Sequence, residues 1–212
     1  MAESCLSVIR NGINLSSLHP RGSQEFSDIP QLICIGRLTR QKGQDILLKA
    51  LARIHRPWHL DLIGEGPDRV ALERLAESLG IAPRVTFTGS VANVTERLMR
   101  ADLVCVPSRW EGQSLALLEA AGSGVPVLAQ DLPVFHESFD DSMLGYVSSP
   151  APEVWTRAIE EAFHTSSLAL LRAYQAELQV ARLFSRSRMA DEYLACYQKL
   201  IDTGSARTKK PL

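Results

Sequence analysis

Short apolar runs alternate with segments of helical periodicity along most of the chain after Pro30. Four of the apolar runs are 31–36 (QLICIG), 58–64 (WHLDLIG), 84–89 (RVTFTG) and 102–108 (DLVCVPS). Between them, apolar residues recur at helical spacing, as in Ile46, Leu47, Ala50 and Leu51. Strands that alternate with helices of this length predict βαβ units. The predicted fold class is therefore α/β, with a Rossmann-like parallel sheet flanked by helices.

The alternation stops after two further short runs at 126–130 and 145–148. Helical patterns then follow one another at 153–163, 168–184 and 189–201. We therefore expect a sheet domain at 31–165, a C-terminal helical extension at 166–202 and a polar, basic, disordered tail at 203–212. Residues 1–30 are irregular, with a turn at Asn11-Gly12, and are interpreted as a connecting segment from a missing N-terminal half.

Composition excludes several classes of protein. The chain has 212 residues, 45% of them hydrophobic, and a net charge of −1, which argues against a nucleic-acid partner. Its first ten residues lack the n-region and long h-region of a signal peptide, and no apolar run approaches the roughly 20 residues that a transmembrane helix needs. The four cysteines form no CxxC pair and no metal-ligand cluster with histidine, so we expect a reduced, cytoplasmic protein without a metal site.

Two glutamates eight residues apart, Glu111 and Glu119, make up the most informative motif. The first follows the buried run 102–108, and the second lies on a helix that is predicted to begin near Ser114. In an open α/β sheet, ligands bind at the edge formed by the carboxyl ends of the strands. Two carboxylates at this edge can accept paired hydrogen bonds from the hydroxyls of a sugar or a ribose. The backbone N–H groups of Ser114 and Leu115 lie at the helix start and can bind an anion.

A second candidate loop joins the first strand to its helix. Gly36 ends the strand and allows a ligand to approach the backbone closely. Arg37 offers a planar fork and Lys42 a point charge, a combination that suits a diphosphate. From spacing alone, a solvated basic loop that caps the sheet fits these residues better than a ligand site does.

Two weaker motifs follow other strands. Gly64-Glu65-Gly66-Pro67 resembles the start of a dinucleotide fingerprint, but Arg69 occupies the third glycine position and the motif does not follow the first strand. An NAD site, and with it a Rossmann dehydrogenase, is therefore disfavoured. His136-Glu137 lies at the same predicted edge, although the start of a surface helix explains it at least as well.

Taken in order, these motifs resemble the C-terminal, donor-binding half of a retaining glycosyltransferase of family 4. The residues that carry the resemblance are Asn11-Gly12-Ile13-Asn14, Gly36-Arg37-Leu38 with Lys42-Gly43, Gly64-Glu65-Gly66-Pro67, Val85 to Val91, Pro107-Ser108, Glu111 with Glu119, Gly124-Val125-Pro126-Val127, and Gly145. They extend over roughly Val8 to Phe163.

The resemblance implies a GT-B architecture in which this half holds a nucleotide-diphosphate sugar linked to UDP, GDP or ADP. Arg37 and Lys42 would bind the diphosphate together with the amides of Ser114 and Leu115. Glu119 would hold the ribose and Glu111 the transferred sugar, while the backbone at Val91 would meet the base. No metal cofactor is required, because the two cations neutralise the leaving group. A setting in polysaccharide or glycoconjugate assembly is implied in the same way.

The sequence departs from the family at two places in these motifs. Gln113-Ser114 stands where Phe-Gly is common, and Asn14 where aspartate is frequent. Because the acceptor domain is expected to be absent, we expect the isolated chain to bind its donor and to transfer nothing. The alternatives are a non-catalytic nucleotide-sugar-binding module and a nucleotide-sugar epimerase of the same architecture; a sugar phosphorylase would need a cofactor lysine that no residue here suggests.

Overall fold

A six-stranded parallel sheet forms the centre of the protein and confirms the predicted fold class. The structure, a computed structural model, describes residues 6–18 and 26–207. The strands are β1 (Gln31–Ile35), β2 (His59–Ile63), β3 (Val85–Gly89), β4 (Leu103–Val106), β5 (Val127–Gln130) and β6 (Gly145–Val147). The helices are α1 (Gln44–Leu51), α2 (Arg69–Ser78), α3 (Thr95–Leu98), α4 (Leu115–Gly122), α5 (Pro133–His136), α6 (Pro152–His164), α7 (Ser166–Leu183) and α8 (Arg186–Arg207).

The strand order is β3-β2-β1-β4-β5-β6, so the order reverses between β1 and β4. Leu32 pairs with Leu103 and Ile33 with Val104 across this junction, although the two strands lie about seventy positions apart in the chain. In open α/β sheets the loops beyond the carboxyl ends of such neighbouring strands diverge to opposite faces and leave a crevice. The loops after β1 and β4 therefore flank the most favourable place for a ligand.

Both faces of the sheet are covered, as the continuous apolar strands require. One apolar core lies between the sheet and helices α1, α2 and α6, with Trp58 and Trp155 among its buried side chains. The other core includes residues of α3, α4, α5 and α7, with Phe139 and Phe184 in stacked contact. All four residues of β4 are buried, which agrees with its place at the centre of the sheet.

The segment before the first strand packs against the junction of α7 and α8. Ile13 is 6% exposed, and its backbone N–H donates to Phe184 O at 2.8 Å while its carbonyl accepts from Arg186 N at 3.0 Å. Gly12 fits closely here, because a Cβ at this position would lie 2.3 Å from Ser185 O. Gly12 and Ile13 of the expected connecting segment are thus held by the junction of α7 and α8.

The predicted end of helical structure at residue 202 is corrected by α8, which continues to Arg207. Ile201 is the last apolar residue of the helical pattern, but backbone hydrogen bonds between successive turns need no apolar face to continue. Residues 208–212 of the expected tail lie outside the described residues. In the part of the chain that the structure describes, no helix combines the length and apolar character needed to cross a bilayer.

Candidate functional site

The loop after β1 brings Lys42 over the end of the sheet. Gly36 has φ +149°, and a Cβ added there would lie 3.2 Å from both Cδ and Cε of Lys42, so the aliphatic stem of the lysine crosses the glycine. Lys42 ends a 3₁₀ helix, Arg40–Lys42, and is followed by Gly43 in the left-handed region at φ 70°. Gly36 and Gly43 lie on either side of this 3₁₀ helix, and both adopt positive φ angles. Their backbone conformations let the lysine side chain fold back toward β4.

The loop after β4 carries Glu111 to the same place. Lys42 Nζ donates to Glu111 Oε1 at 2.5 Å, and Ser108 Oγ donates to that same oxygen at 2.8 Å. The side chains of Lys42 and Glu111 are 19% and 6% exposed. No described residue donates to the other carboxylate oxygen, Oε2, which is therefore available to a hydroxyl.

Cys34 lies next to this ion pair. The thiol is fully buried, and burial raises its pKa to about 12, with smaller opposing effects from the charges of Lys42 and Glu111. Cys105, also buried, has its pKa raised by burial and by the proximity of Cys34. Because only a thiolate is a good nucleophile, both residues serve as packing groups here rather than as reactive ones.

Helix α4 begins where the sequence predicts. Ser114 is its N-cap, and its side-chain oxygen accepts a hydrogen bond from Leu117 N at 3.4 Å. The helix start leaves N–H groups without helical partners, as at any helix N-terminus. Those of Ser114 and Leu115 donate to no described residue; Leu115 is 49% exposed, whereas Ser114 is 5% exposed, so an anion has access to the helix start from the side of Leu115.

Glu119 lies in the second turn of α4, a helix whose other residues are apolar or small. Burial raises the pKa of its carboxyl group, and no described residue forms a hydrogen bond or ion pair with it. A half-buried carboxylate without a partner is costly, so a hydroxyl-bearing ligand would relieve an existing deficit.

The remaining predicted residues differ in their surroundings. Arg37 is exposed beside Gly36, and its guanidinium donates to no described residue. Val91 follows β3, which lies two strands from β1 and so about 10 Å away along the sheet edge. His136, the weaker candidate, is engaged within the protein: its ring pairs with Asp131 at 2.7 Å and stacks on Tyr146 at 4.1 Å.

Sequence reasoning assigned no role to three residues that shape this site. Ser108 fixes Glu111, while Arg109 binds Asp45 at 2.8 and 2.9 Å. Gln113 accepts a hydrogen bond from Asn11 N at 2.8 Å, so it ties the segment before β1 to the loop after β4. Ser108 could have been suspected from its place in the Pro107-Ser108 motif, but the partners of Arg109 and Gln113 lie 64 and 102 positions away and leave no local signal.

The contact of Lys42 with Glu111 places both signs of charge at one edge of the sheet. Lys42, Arg37 and the start of α4 offer positive potential for a phosphate, and the carboxylates of Glu111 and Glu119 offer acceptors for hydroxyls. No group of histidine, cysteine and carboxylate side chains suited to a metal ion occurs within residues 6–18 and 26–207.

Comparison with known families gives one match that covers most of the chain. The family model described as "Glycosyl transferases group 1" matches residues 29–165. This range contains all the candidate site residues predicted from the sequence.

Individual relatives extend the comparison. A GDP-mannose-dependent alpha-(1-6)-phosphatidylinositol monomannoside mannosyltransferase of Mycobacterium tuberculosis is 40% identical over 123 residues, which cover 51% of this chain and 31% of the relative. D-inositol 3-phosphate glycosyltransferase of Mycolicibacterium smegmatis is 31% identical over an alignment of 225 residues. This alignment covers 98% of this chain and 50% of the relative. These two matches thus span half of the relative's length or less.

A solved structure agrees with the fold. Anabaena Alr3699/HepE in complex with UDP and glucose superposes with a TM-score of 0.84 at 18% identity, over 93% of this chain and 58% of that protein. At this identity the likeness concerns the fold alone.

Proposed function

Because the chain belongs to the family of group 1 glycosyl transferases, we propose that it is the donor-binding part of a retaining glycosyltransferase that uses a nucleotide-diphosphate sugar. The observation that carries this proposal is the meeting of Lys42 and Glu111 at the point where the strand order reverses. There a phosphate-binding cation and a hydroxyl-binding carboxylate lie within reach of one small ligand.

Each predicted residue then has a physical role. Arg37 and Lys42 bind the diphosphate and stabilise the charge that develops as it leaves, with the N–H groups at the start of α4 adding to this effect. Glu111 accepts hydrogen bonds from hydroxyls of the transferred sugar through its free Oε2. Glu119 accepts the ribose hydroxyls, and the backbone near Val91 meets the base.

Two of the comparisons support a nucleotide-sugar ligand without deciding the base. The mycobacterial relative is named for its use of GDP-mannose, and the solved structure holds UDP and glucose. We propose that one of UDP, GDP or ADP is the nucleotide of this chain's donor as well. A thermal-shift panel of the three nucleotides and their sugars identifies it, because a ligand that binds only the folded protein raises Tm, and at equal concentration a tighter ligand raises it further.

The test of the site is a calorimetric titration of UDP and GDP. We expect Arg37→Ala and Glu119→Ala each to weaken binding by roughly tenfold or more, since each removes a charge-assisted hydrogen bond. Arg40→Ala and Glu177→Ala are the matched controls: Arg40 is an exposed arginine of the same loop, and Glu177 is a partly buried glutamate on α7. Equal binding by the wild type and the two site variants contradicts the proposal.

The same titration tests whether a metal takes part. We propose that Arg37 and Lys42 supply the positive charge that Mg²⁺ provides in other nucleotide-binding proteins. Affinity in the presence of EDTA is then expected to equal affinity in the presence of Mg²⁺. A loss of binding on chelation contradicts this part of the proposal.

Product analysis separates the proposed activity from the alternatives. A nucleotide-sugar epimerase converts a bound donor to its epimer without any acceptor, whereas a glycosyltransferase needs one. Incubation of the chain with the donor that the panel identifies, followed by chromatography of the sugar, is expected to return the sugar unchanged.

Location is proposed on chemical grounds. Cys34, Cys105 and Cys196 are free thiols, which fits a reducing compartment such as the cytoplasm. Recovery of the protein in the periplasmic or secreted fraction contradicts this location.

A further inference from the structure

An arginine in the loop after β4 fastens that loop to the beginning of α1. Arg109 Nη1 and Nη2 donate to the two carboxylate oxygens of Asp45 at 2.8 and 2.9 Å, as a planar fork. Arg109 Nη1 also donates to the backbone carbonyl of Arg40 at 2.7 Å. One guanidinium therefore joins the loop that carries Glu111 to the 3₁₀ helix that carries Lys42.

The backbone reinforces the same junction. Arg109 N donates to Gln41 O at 2.7 Å, and Gln41 Nε2 donates to Trp110 O at 3.0 Å. The carbonyl of Pro107 lies so close to Gly43 that a Cβ there would be 2.0 Å from the oxygen. The two loops thus form one unit, in which Lys42 and Glu111 occupy adjacent places.

Burial distinguishes the Arg109–Asp45 pair from an ordinary surface ion pair. Its side chains are 24% and 30% exposed, against 51% and 57% for the Arg53–Glu153 pair. Burial alone would raise the pKa of Asp45, but the hydrogen bonds and charge of Arg109, with smaller contributions from the charge of Lys49 and a backbone hydrogen bond, hold that pKa below its usual value. The hydrogen bond to Asp45 likewise raises the pKa of Arg109.

We propose that Arg109 and Asp45 are positioning residues for the donor site: their fork holds Lys42 and Glu111 in the geometry that a nucleotide diphosphate and its sugar require. This inference rests on the proposed function and goes beyond it, because neither residue has a role there. Arg109 directs both Nη atoms at the protein and not at a ligand. Its effect is preorganisation, since a loop that is already ordered loses less conformational entropy when the ligand binds.

The experiment compares the binding of GDP and UDP by four variants, using calorimetry at a temperature where circular dichroism shows each to be fully folded. Arg109→Gln and Asp45→Asn are each expected to weaken binding by roughly tenfold. Arg109→Lys is expected to behave like Arg109→Gln, because a lysine keeps the charge but cannot form the fork. Arg53→Gln, which breaks the exposed ion pair, is the matched control and is expected to bind as the wild type does.

Three outcomes overturn the inference. Unchanged affinity with a lowered Tm assigns the pair to stability alone. Tighter binding by Asp45→Asn means that Arg109 itself contacts the ligand, because the variant frees its guanidinium. Wild-type affinity in Arg109→Lys means that charge matters and the fork does not.

A measurement without ligand separates failure of this inference from failure of the proposed function. Backbone amide exchange, followed by NMR, is expected to accelerate at Arg109 in Asp45→Asn, since the N–H that binds Gln41 O is held by the same junction. If the wild type binds neither GDP nor UDP, the proposed function fails. Unchanged exchange in the variant then rejects the positioning pair, whereas faster exchange supports the junction itself.

Discussion

Among single residues, Glu119 combines an unfavourable environment with a proposed role in binding. Its carboxyl group is half-buried on the otherwise apolar α4, and burial raises its pKa. The folded protein therefore holds this proton more tightly than the unfolded chain, in which glutamate titrates near about 4.3. Stability then decreases as the pH rises from about 4 through the folded-state pKa, and at neutral pH the ionised group destabilises the ligand-free protein.

The raised pKa of Glu119 predicts how a neutral side chain at this position changes stability. Glu119→Gln is expected to raise Tm at pH 7 by about 1–3 °C, because it removes the buried charge, and the gain is expected to disappear near pH 4. The same variant is expected to weaken nucleotide binding by roughly tenfold, because a neutral amide loses the charge-assisted hydrogen bonds. Differential scanning fluorimetry at several pH values and a calorimetric titration measure the two effects.

The matched control is Glu177→Gln. Burial also raises the pKa of Glu177, but this residue lies on α7 and is not one of the candidate site residues. The control is therefore expected to gain stability without losing affinity. A gain in affinity for Glu119→Gln, or no change in its stability at pH 7, contradicts the interpretation.

At the scale of elements, the ion pair between α1 and the loop after β4 makes stability depend on pH in the opposite direction. Despite the opposing effect of burial, Arg109, helped by the charge of Lys49, lowers the pKa of Asp45 below the value of about 3.9 expected in the unfolded chain. The pair therefore stabilises the fold fully above about pH 4, and this contribution is lost as the pH falls through the folded-state pKa.

Asp45→Asn is accordingly expected to reduce the free energy of unfolding at pH 7 by about 1 kcal/mol, a value suited to a partly exposed pair. The difference from the wild type is expected to shrink as the pH falls below about 4 and through the lowered pKa of Asp45. Urea denaturation across this range measures it. Glu153→Gln, at the exposed pair with Arg53, is expected to change stability by less than about 0.5 kcal/mol, and an equal effect of the two variants counts against the special role of Asp45.

Two helices show where a local sequence pattern was sufficient to predict an element and where it was not. The predicted start of α4 at Ser114 agrees with the structure, because an N-cap serine before an apolar helix is a local signal. Helix α3, by contrast, is only the single turn Thr95–Leu98. There the chain must return to β4 within a few residues, as Asp102 N already donates to Gln31 O at 2.8 Å. This constraint comes from the sheet and not from the helical pattern.

At the scale of the whole molecule, the segment before β1 connects the C-terminal helices with the candidate site. Arg10 O accepts from Arg188 Nη2 at 2.7 Å, and Asn11 N donates to Gln113 Oε1 at 2.8 Å. Between them Gly12 lies against Ser185 without room for a side chain. Displacement of this segment is therefore expected to loosen both α8 and the loop that carries Glu111.

Gly12→Ala tests this arrangement. The added Cβ would lie 2.3 Å from Ser185 O, so the variant is expected to lose about 2 kcal/mol and to lower Tm by about 4–8 °C. Hydrogen exchange is expected to increase in α8. Gly112→Ala is the matched control, because a Cβ there meets nothing within 4 Å, and its stability is expected to stay near that of the wild type. Wild-type stability of Gly12→Ala contradicts the close packing.

The sequence by itself determined the kinds of element, the α/β class, the family, and the residues of the two candidate loops. These features depend on neighbours within a few positions, through hydrophobic periodicity and through motifs such as Gly36-Arg37 and the Glu111/Glu119 pair. Only the tertiary structure decided that β1 lies next to β4, so that Lys42 meets Glu111 and Arg109 meets Asp45. Strand order depends on how the whole chain buries its apolar faces, and partners separated by more than sixty residues leave no periodic trace in a single sequence.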